Sequence, residues 1–251
     1  MSISNQLKEL YLSRSENIKN LLKHPKYSTD NHIHEGPFLI NPWDENYKSS
    51  KYKIMIIGKQ TEGWTWEENT AIEPETLINN SLYLYNCYKN ASGDTGRMFW
   101  RAFYQILSGL QENPDRLSAI WGNLWKYDQY NYAEEKVFSP TPAFREAIIS
   151  NFNILQKEIE ICDPDAIIFF TSKHFDYDLD RQLNGIKFEA FNEDYSAGEF
   201  SKCIHSSLPL KAYRTYHPDY LLHYRPKHNA ERYSNVIDLI IKDIQSSCVT
   251  C

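Results

Sequence analysis

The stretch Tyr52-Lys53-Ile54-Met55-Ile56-Ile57-Gly58 decides the fold class. Residues 54–57 are apolar without alternation and three of them are isoleucine, which describes a strand buried on both faces. Strands of that kind belong to parallel sheets covered on both sides by helices. Ser118 to Leu124, Asp165 to Phe170 and Lys211 to Tyr216 read the same way, and Lys187 to Phe191 reads as a weaker strand. Helical spacing separates them. It runs over 5–22 (Leu7, Leu10, Tyr11, Ile18, Leu21), over 74–89, and over 97–110 (Phe99, Phe103, Ile106, Leu107, Leu110). A further helix is predicted over 141–161, with Thr141 as cap and Pro142 in its first turn, and a last one over 229–244 behind Asn229. Pro25, Gly36, Pro37 and Pro42 predict loop over 24–50. The expectation is an α/β fold, a three-layer αβα arrangement with a central, mainly parallel four-stranded sheet. It forms one domain over 1–251, with an N-terminal helix and loop at 1–50 and the α/β core at 51–246.

Composition narrows the class. A chain of 251 residues that is 41% hydrophobic and 24% charged can bury a sizeable core, which excludes a disordered polymer. The first twenty residues show no secretory leader, and no run approaches the roughly 20 apolar residues that span a bilayer. Cys87, Cys162, Cys203, Cys248 and Cys251 are odd in number and scattered, as expected of a reduced, cytoplasmic chain. Neither the terminal Cys248/Cys251 pair nor His32-Ile33-His34-Glu35 has a partner cluster, so no metal and no cofactor are expected. Net charge is −6, unevenly spread. Residues 115–200 hold 16 acidic and 8 basic side chains, whereas 201–232 hold Lys202, Lys211, Arg214, Arg225, Lys227 and Arg232 against Asp219 and Glu231. A local basic patch is what backbone phosphates require; a chance cluster of surface cations is the alternative.

In open parallel sheets ligands sit outside the carboxyl ends of the strands. Four loops lie there: 58–66, 123–131, 171–175 and 217–225. The first, Gly58-Lys59-Gln60-Thr61-Glu62-Gly63-Trp64, has neither the phosphate-loop nor the dinucleotide spacing. Its leading glycine is expected to let the chain turn and bring backbone amides to a ligand. Glu62 can act as a base or stabilise a cation, whereas Gln60 can only orient water. Trp64 and Trp66 can stack a flipped base, with a core or lid role as the alternative. Asn123 offers one acceptor and a two-proton donor, suited to an amide-like base edge or to a turn. The last loop, His217-Pro218-Asp219-Tyr220-Leu221-Leu222-His223-Tyr224-Arg225, presents a histidine able to donate to a developing anion. Leu221 and Leu222 either pack on the domain or wedge between base pairs. Asp176, Asp178 and Asp180 read as a solvated acidic turn. No GxSxG is present.

The order strand-Gly loop, strand-Asn, strand-Thr/Ser, strand-His-Pro-x-x-Leu, over about residues 50–225, resembles the uracil-DNA glycosylase superfamily. The resemblance implies that Gly58 to Trp64 form the water-activating loop, with Gln60 and Glu62 in catalytic positions and Gly58 and Trp64 against the base. It implies that Asn123 reads the base edge and His217 stabilises the leaving base anion. It places Leu221 and Leu222 as the wedge, with Arg214, Arg225 and Lys227 on DNA. Departures are plain: Gln60 stands where the best-studied branch has the aspartate of Gly-Gln-Asp-Pro-Tyr, and Asp219 and Tyr220 replace the Ser and second Pro of its last motif. The four-cysteine iron–sulfur pattern of another branch is missing. The implied activity is hydrolysis of the N-glycosidic bond of uracil or a modified pyrimidine in DNA. A binding module of the same fold that senses DNA or a base without catalysis is the alternative, and a small-molecule hydrolase on a flavodoxin-like sheet is a third reading. DNA is the expected partner, with no membrane and a plausible monomer.

Overall fold

The computed structural model describes residues 1–61, 63, 73–90, 97–112, 114–222 and 230–246, without the side chains of 88–90, 221, 222 and 230–234. Helices α1 (Ile3–Leu12) and α2 (Ser15–Leu22) lead into strands β1 (Ser28–Thr29) and β2 (His32–Glu35) and a short helix α3 (Asp44–Ser49). Strand β3 (Ile54–Gln60) opens the core, followed by helices α4 (Pro74–Asn90) and α5 (Met98–Leu110) and strand β4 (Ala119–Trp125). A hairpin of β5 (Asp128–Asn131) and β6 (Lys136–Phe138) precedes α6 (Pro142–Phe152), α7 (Leu155–Cys162) and β7 (Ala166–Phe169). The chain continues through α8 (Asp176–Leu183), β8 (Lys187–Ala190), β9 (Phe200–Ile204), β10 (Lys211–Thr215), α9 (Pro218–Leu222) and α10 (Ala230–Gln245).

The protein is mixed α/β. Six strands form the main sheet in the order β4-β3-β7-β10-β9-β8. The first four are parallel, and they are the four strong apolar runs. Ile54, Met55, Ile56 and Ile57 are all 0% exposed, which is why the run shows no alternation. The sheet is wider than the expected four strands because β9 and β8 add antiparallel to β10. Strand β9, Phe200-Ser-Lys-Cys-Ile204, has too few apolar residues to stand out alone; pairing with β10 makes it a strand. Helices cover both faces. On the face carrying Gly58 lies α5, itself packed on α10, where a Cβ at Gly109 would come within 2.7 Å of Ile241. On the face carrying Gly122 lies Lys126, ion-paired to Glu158 of α7.

Four local expectations are corrected. The helical pattern over 5–22 breaks at Ser13–Arg14 into α1 and α2, and that over 141–161 breaks at Asn153–Ile154 into α6 and α7. Residues 24–50 are not all loop, since β1, β2, β5 and β6 form a second, antiparallel sheet. These strands have only two to four residues and few apolar ones, so periodicity could not signal them. The acidic turn at 176–180 is helix α8, in which Asp176 pairs with Arg214 and Asp178 with Arg145.

His34 ties the small sheet to α6. It is fully buried and stacks on Phe144 at 4.1 Å. Its Nδ1 lies 3.0 Å from the Tyr27 carbonyl, and its Nε2 accepts the Thr141 backbone N–H at 3.1 Å. The network therefore assigns the proton to Nδ1 and keeps the ring neutral. Burial lowers its pKa to about 4, against the raising effect of the Tyr27 carbonyl; neighbouring His32 and His24 add smaller lowering contributions. The unfolded chain protonates this histidine first, so its contribution is complete above about pH 6.5 and is lost as pH falls towards 4, by roughly 3 kcal/mol in all. Urea unfolding of the wild type and of His34→Gln from pH 8 to 4 checks this: the variant should lose most of the slope between 6.5 and 4. Parallel slopes in the two proteins would rule His34 out as the source. Among the described residues no group of three or more His, Cys, Asp or Glu is placed to hold a metal ion, and no helix is long and apolar enough to cross a membrane.

Candidate functional site

The strand order locates the site. Strand β3 connects onward to β4 on one side, while its neighbour β7 connects onward to β10 on the other. The crevice between the carboxyl ends of β3 and β7 is thus the topological switch point, where open α/β sheets bind ligands. Ser172, just past β7, has φ +63°, a conformation that costs a non-glycine residue on the order of 1–3 kcal/mol and concentrates at functional sites.

Gly58 and Asn123 are paired in the parallel register of β3 and β4. Gly58 does not end its strand, contrary to expectation, because β3 runs on through Gln60. Its lack of a side chain serves the neighbouring strand instead: a Cβ there would lie 2.7 Å from the end of the Asn123 amide and 3.4 Å from Phe99. Asn123 likewise lies two residues inside β4 and is 6% exposed. Turned to satisfy its bonds, its amide nitrogen donates to the carbonyls of Gly122 and Gln60, each at 3.2 Å. Both amide protons are then spent on backbone, which leaves Oδ1 as the acceptor of this side chain.

Phe99, at the start of α5, links this pair to the far side of the crevice. Its ring meets Phe170 edge-on at 6.3 Å and stacks on His217 at 6.3 Å with 24° between planes. Asn123, Gly58, Phe99 and His217 therefore form one continuous line across the strand ends. Three strand spacings, about 14 Å, separate the β4 and β10 backbones, and the Phe99 ring spans part of that distance. Phe99 was missed as a site residue because its spacing matches the inward face of α5.

His217 follows β10, and Pro218 begins α9, so the segment expected as a loop is partly helical. The imidazole Nδ1 faces Asp219 twice, its backbone N–H at 3.3 Å and its carboxylate at 3.0 Å. Nε2 is the ring nitrogen left to act on a ligand. Gln60 accepts a bond from Ser139 Oγ at 2.9 Å on its Oε1, which occupies one of the two lone pairs of its only side-chain acceptor. Asp128, also missed because its segment read as loop, accepts from Thr61 Oγ1 at 2.6 Å and from the Gly63 N–H at 2.8 Å.

The expected basic surface is largely absent from the described residues. Arg214 is 1% exposed and cannot meet phosphates: it pairs with Asp176 at 2.8 Å and donates to the carbonyls of Ala197 and Gly198. Both Lys202 and Lys211 pair with Asp243, which also accepts from Tyr213. Strand β10 is covered on both faces, so its basic residues turn inward or onto acidic partners. Glu62, Trp64, Trp66, Arg225 and Lys227 lie outside the described residues. Leu221 and Leu222 close α9, and their side chains also lie outside the description. No family model matches the chain, and no curated protein matches it.

Proposed function

We propose that this chain is an N-glycosyl hydrolase of the uracil-DNA glycosylase type, acting on uracil or a modified pyrimidine in DNA. One observation carries the reading: Asn123, Gly58, Phe99 and His217 stand in one line at the switch point of a parallel sheet. Each has a role that the bond cleavage needs. The Asn123 acceptor takes the ring N–H of a uracil-like base, which cytosine lacks at that position. Gly58 leaves space beside it, and Phe99 offers an apolar ring for stacking. As the C1′–N bond breaks, its electron pair moves to the base, and a donor at His217 Nε2 stabilises the anion while the sugar becomes oxocarbenium-like. Water then adds to C1′ and releases a proton. With Gln60 Oε1 held by Ser139, Glu62 is the acceptor in the first loop to take it.

The same Gln60–Ser139 bond favours a second reading, a base- or DNA-sensing module of this fold without catalysis. Incubation with single- and double-stranded oligonucleotides carrying uracil, thymine mismatches or modified pyrimidines, followed by detection of abasic sites, separates the two. The expected result is base release from a uracil-like substrate and none from cytosine. Tight binding with no release from any oligonucleotide would establish the sensor; neither binding nor release would end both readings.

A further inference from the structure

We infer that Arg145 of α6 is a second anchor of the crevice, one that takes a backbone phosphate of the nucleic-acid strand whose base enters beside Asn123 and His217. The inference rests on the reading above and deepens it in both its forms, since enzyme and sensor alike must hold the strand. Arg145 reaches the strand ends from α6. Its guanidinium lies between two aromatic rings, 5.4 Å from the centroid of Trp125 and 5.6 Å from that of Phe175. Trp125 is the last residue of β4, and Phe175 closes the turn that follows β7. In the sheet, β3 lies between these two strands. The guanidinium therefore bridges the carboxyl end of β3, at the switch point where open α/β sheets bind their ligands.

The use of its donors separates Arg145 from Arg214, the arginine that sequence alone put on DNA. Nε of Arg145 donates to the Pro140 carbonyl at 2.8 Å and Nη1 to Asp178 Oδ2 at 2.9 Å, two of the five N–H groups of a guanidinium. Among the described residues no acceptor takes the other three, both Nη2 protons included. The side chain is 26% exposed, so the guanidinium is within reach of solvent. Arg214 is instead shut in by Asp176, Ala197 and Gly198. Asp178 is itself fixed, since it also accepts from the Trp125 indole N–H at 3.4 Å. Neutralising Asp178 takes one N–H of Arg145; the donors left over, at an exposed strand end, suit a second anion. A planar cation held by a carboxylate and flanked by two rings is pre-organised for that anion, and its N–H fork matches a pair of phosphate oxygens. Nucleic acid presents such a pair at every linkage.

The test measures binding of one oligonucleotide to wild type, Arg145→Gln and Arg145→Lys over a salt series. Lys202→Gln, which removes a cation paired to Asp243 on β9, is the control. Arg145→Gln should weaken binding about 10–100-fold and lower the slope of log affinity against log salt by about 0.7–0.9, the share of one phosphate. Lys202→Gln should change neither. An unchanged slope in Arg145→Gln, or an equal fall in Lys202→Gln, overturns the inference. Oligonucleotides with one uncharged methylphosphonate linkage then separate a contact from a merely structural role. At one linkage beside the target base, wild type should lose about tenfold in affinity and Arg145→Gln nothing further. Equal losses in the two proteins at every linkage overturn the inference. If Arg145→Gln does not fold, Arg145→Lys, which keeps a charge beside Asp178, is read instead. Without the fork it should lose at least about threefold of the single-linkage effect, and an undiminished effect overturns the inference. If wild type binds no oligonucleotide, the nucleic-acid reading itself fails, and inorganic phosphate judges the anion contact separately. A saturating shift of the Arg145 Nε–H signal in an NMR titration, absent at the Glu146-bound Arg181, supports the contact; no shift overturns it.

Discussion

Glu158→Gln is expected to destabilise the protein by about 3–5 kcal/mol. Glu158 of α7 is 0% exposed and pairs with Lys126 at 2.6 Å, and Lys126 is nearly as buried. Its other oxygen accepts from the Tyr11 hydroxyl of α1 at 2.8 Å. Burial and the neighbouring carboxylate together push the Tyr11 hydroxyl well above the ordinary range, so it stays protonated as the donor. One anion therefore joins two helices to the residue that follows β4. Removing its charge leaves an ammonium buried without a counterion, which is far costlier than the pair is favourable. Lys126→Met should cost about as much for the opposite reason, while the double variant Lys126→Met/Glu158→Leu should recover most of the loss. Urea unfolding of all four proteins measures this directly. Single variants within about 1 kcal/mol of wild type would mean that water or rearrangement compensates the orphaned charge.

The four parallel strands were legible because burial on both faces leaves a signature that needs no partner, an apolar run such as 54–57 or 166–170. The site was legible only in outline. His217 could be placed just past a strand end from the run preceding it, but Asn123 lies two residues inside β4 and Gly58 was misread as a turn. A glycine that makes room for a side chain on the next strand looks the same in sequence as one that bends the chain. Phe99 carried the helical period of its neighbours, so nothing distinguished the ring that faces the crevice from those packed in the core. Arg214 shows the limit for charge. Its partner Asp176 lies 38 residues earlier, and no local pattern reveals that the two meet. The small antiparallel sheet, with His34 and Asp128, was invisible because its strands are held by tertiary contacts rather than by apolar alternation.

His217→Ala is expected to lower the single-turnover rate of base release by about 10²–10³-fold, the usual loss when one preorganised donor to a developing anion is removed. That corresponds to about 3–4 kcal/mol of transition-state stabilisation, and substrate affinity should change much less. The orientation of the ring makes a finer prediction possible. Nδ1 faces two groups of Asp219 that make opposite demands, a backbone N–H that needs a lone pair and a carboxylate that needs a proton. When the backbone amide sets the tautomer, the neutral ring carries its proton on Nε2 and can donate to the leaving base. When the carboxylate sets it, the neutral ring carries the proton on Nδ1, and Nε2 turns a lone pair towards the oxygen it should stabilise. Asp219 is 60% exposed on its side chain, so water weakens its carboxylate as a partner, and the amide is the contact that the backbone of α9 enforces. Asp219→Asn removes the anion and keeps the amide. It should release base at near the wild-type rate at neutral pH, while His217→Ala does not. A faster release by Asp219→Asn than by wild type would show that the carboxylate had set the ring, and a loss as large as that in His217→Ala would overturn the assignment of the tautomer to the backbone amide. Full activity in His217→Ala would show that the leaving base needs no donor from His217 and would overturn the role given to it.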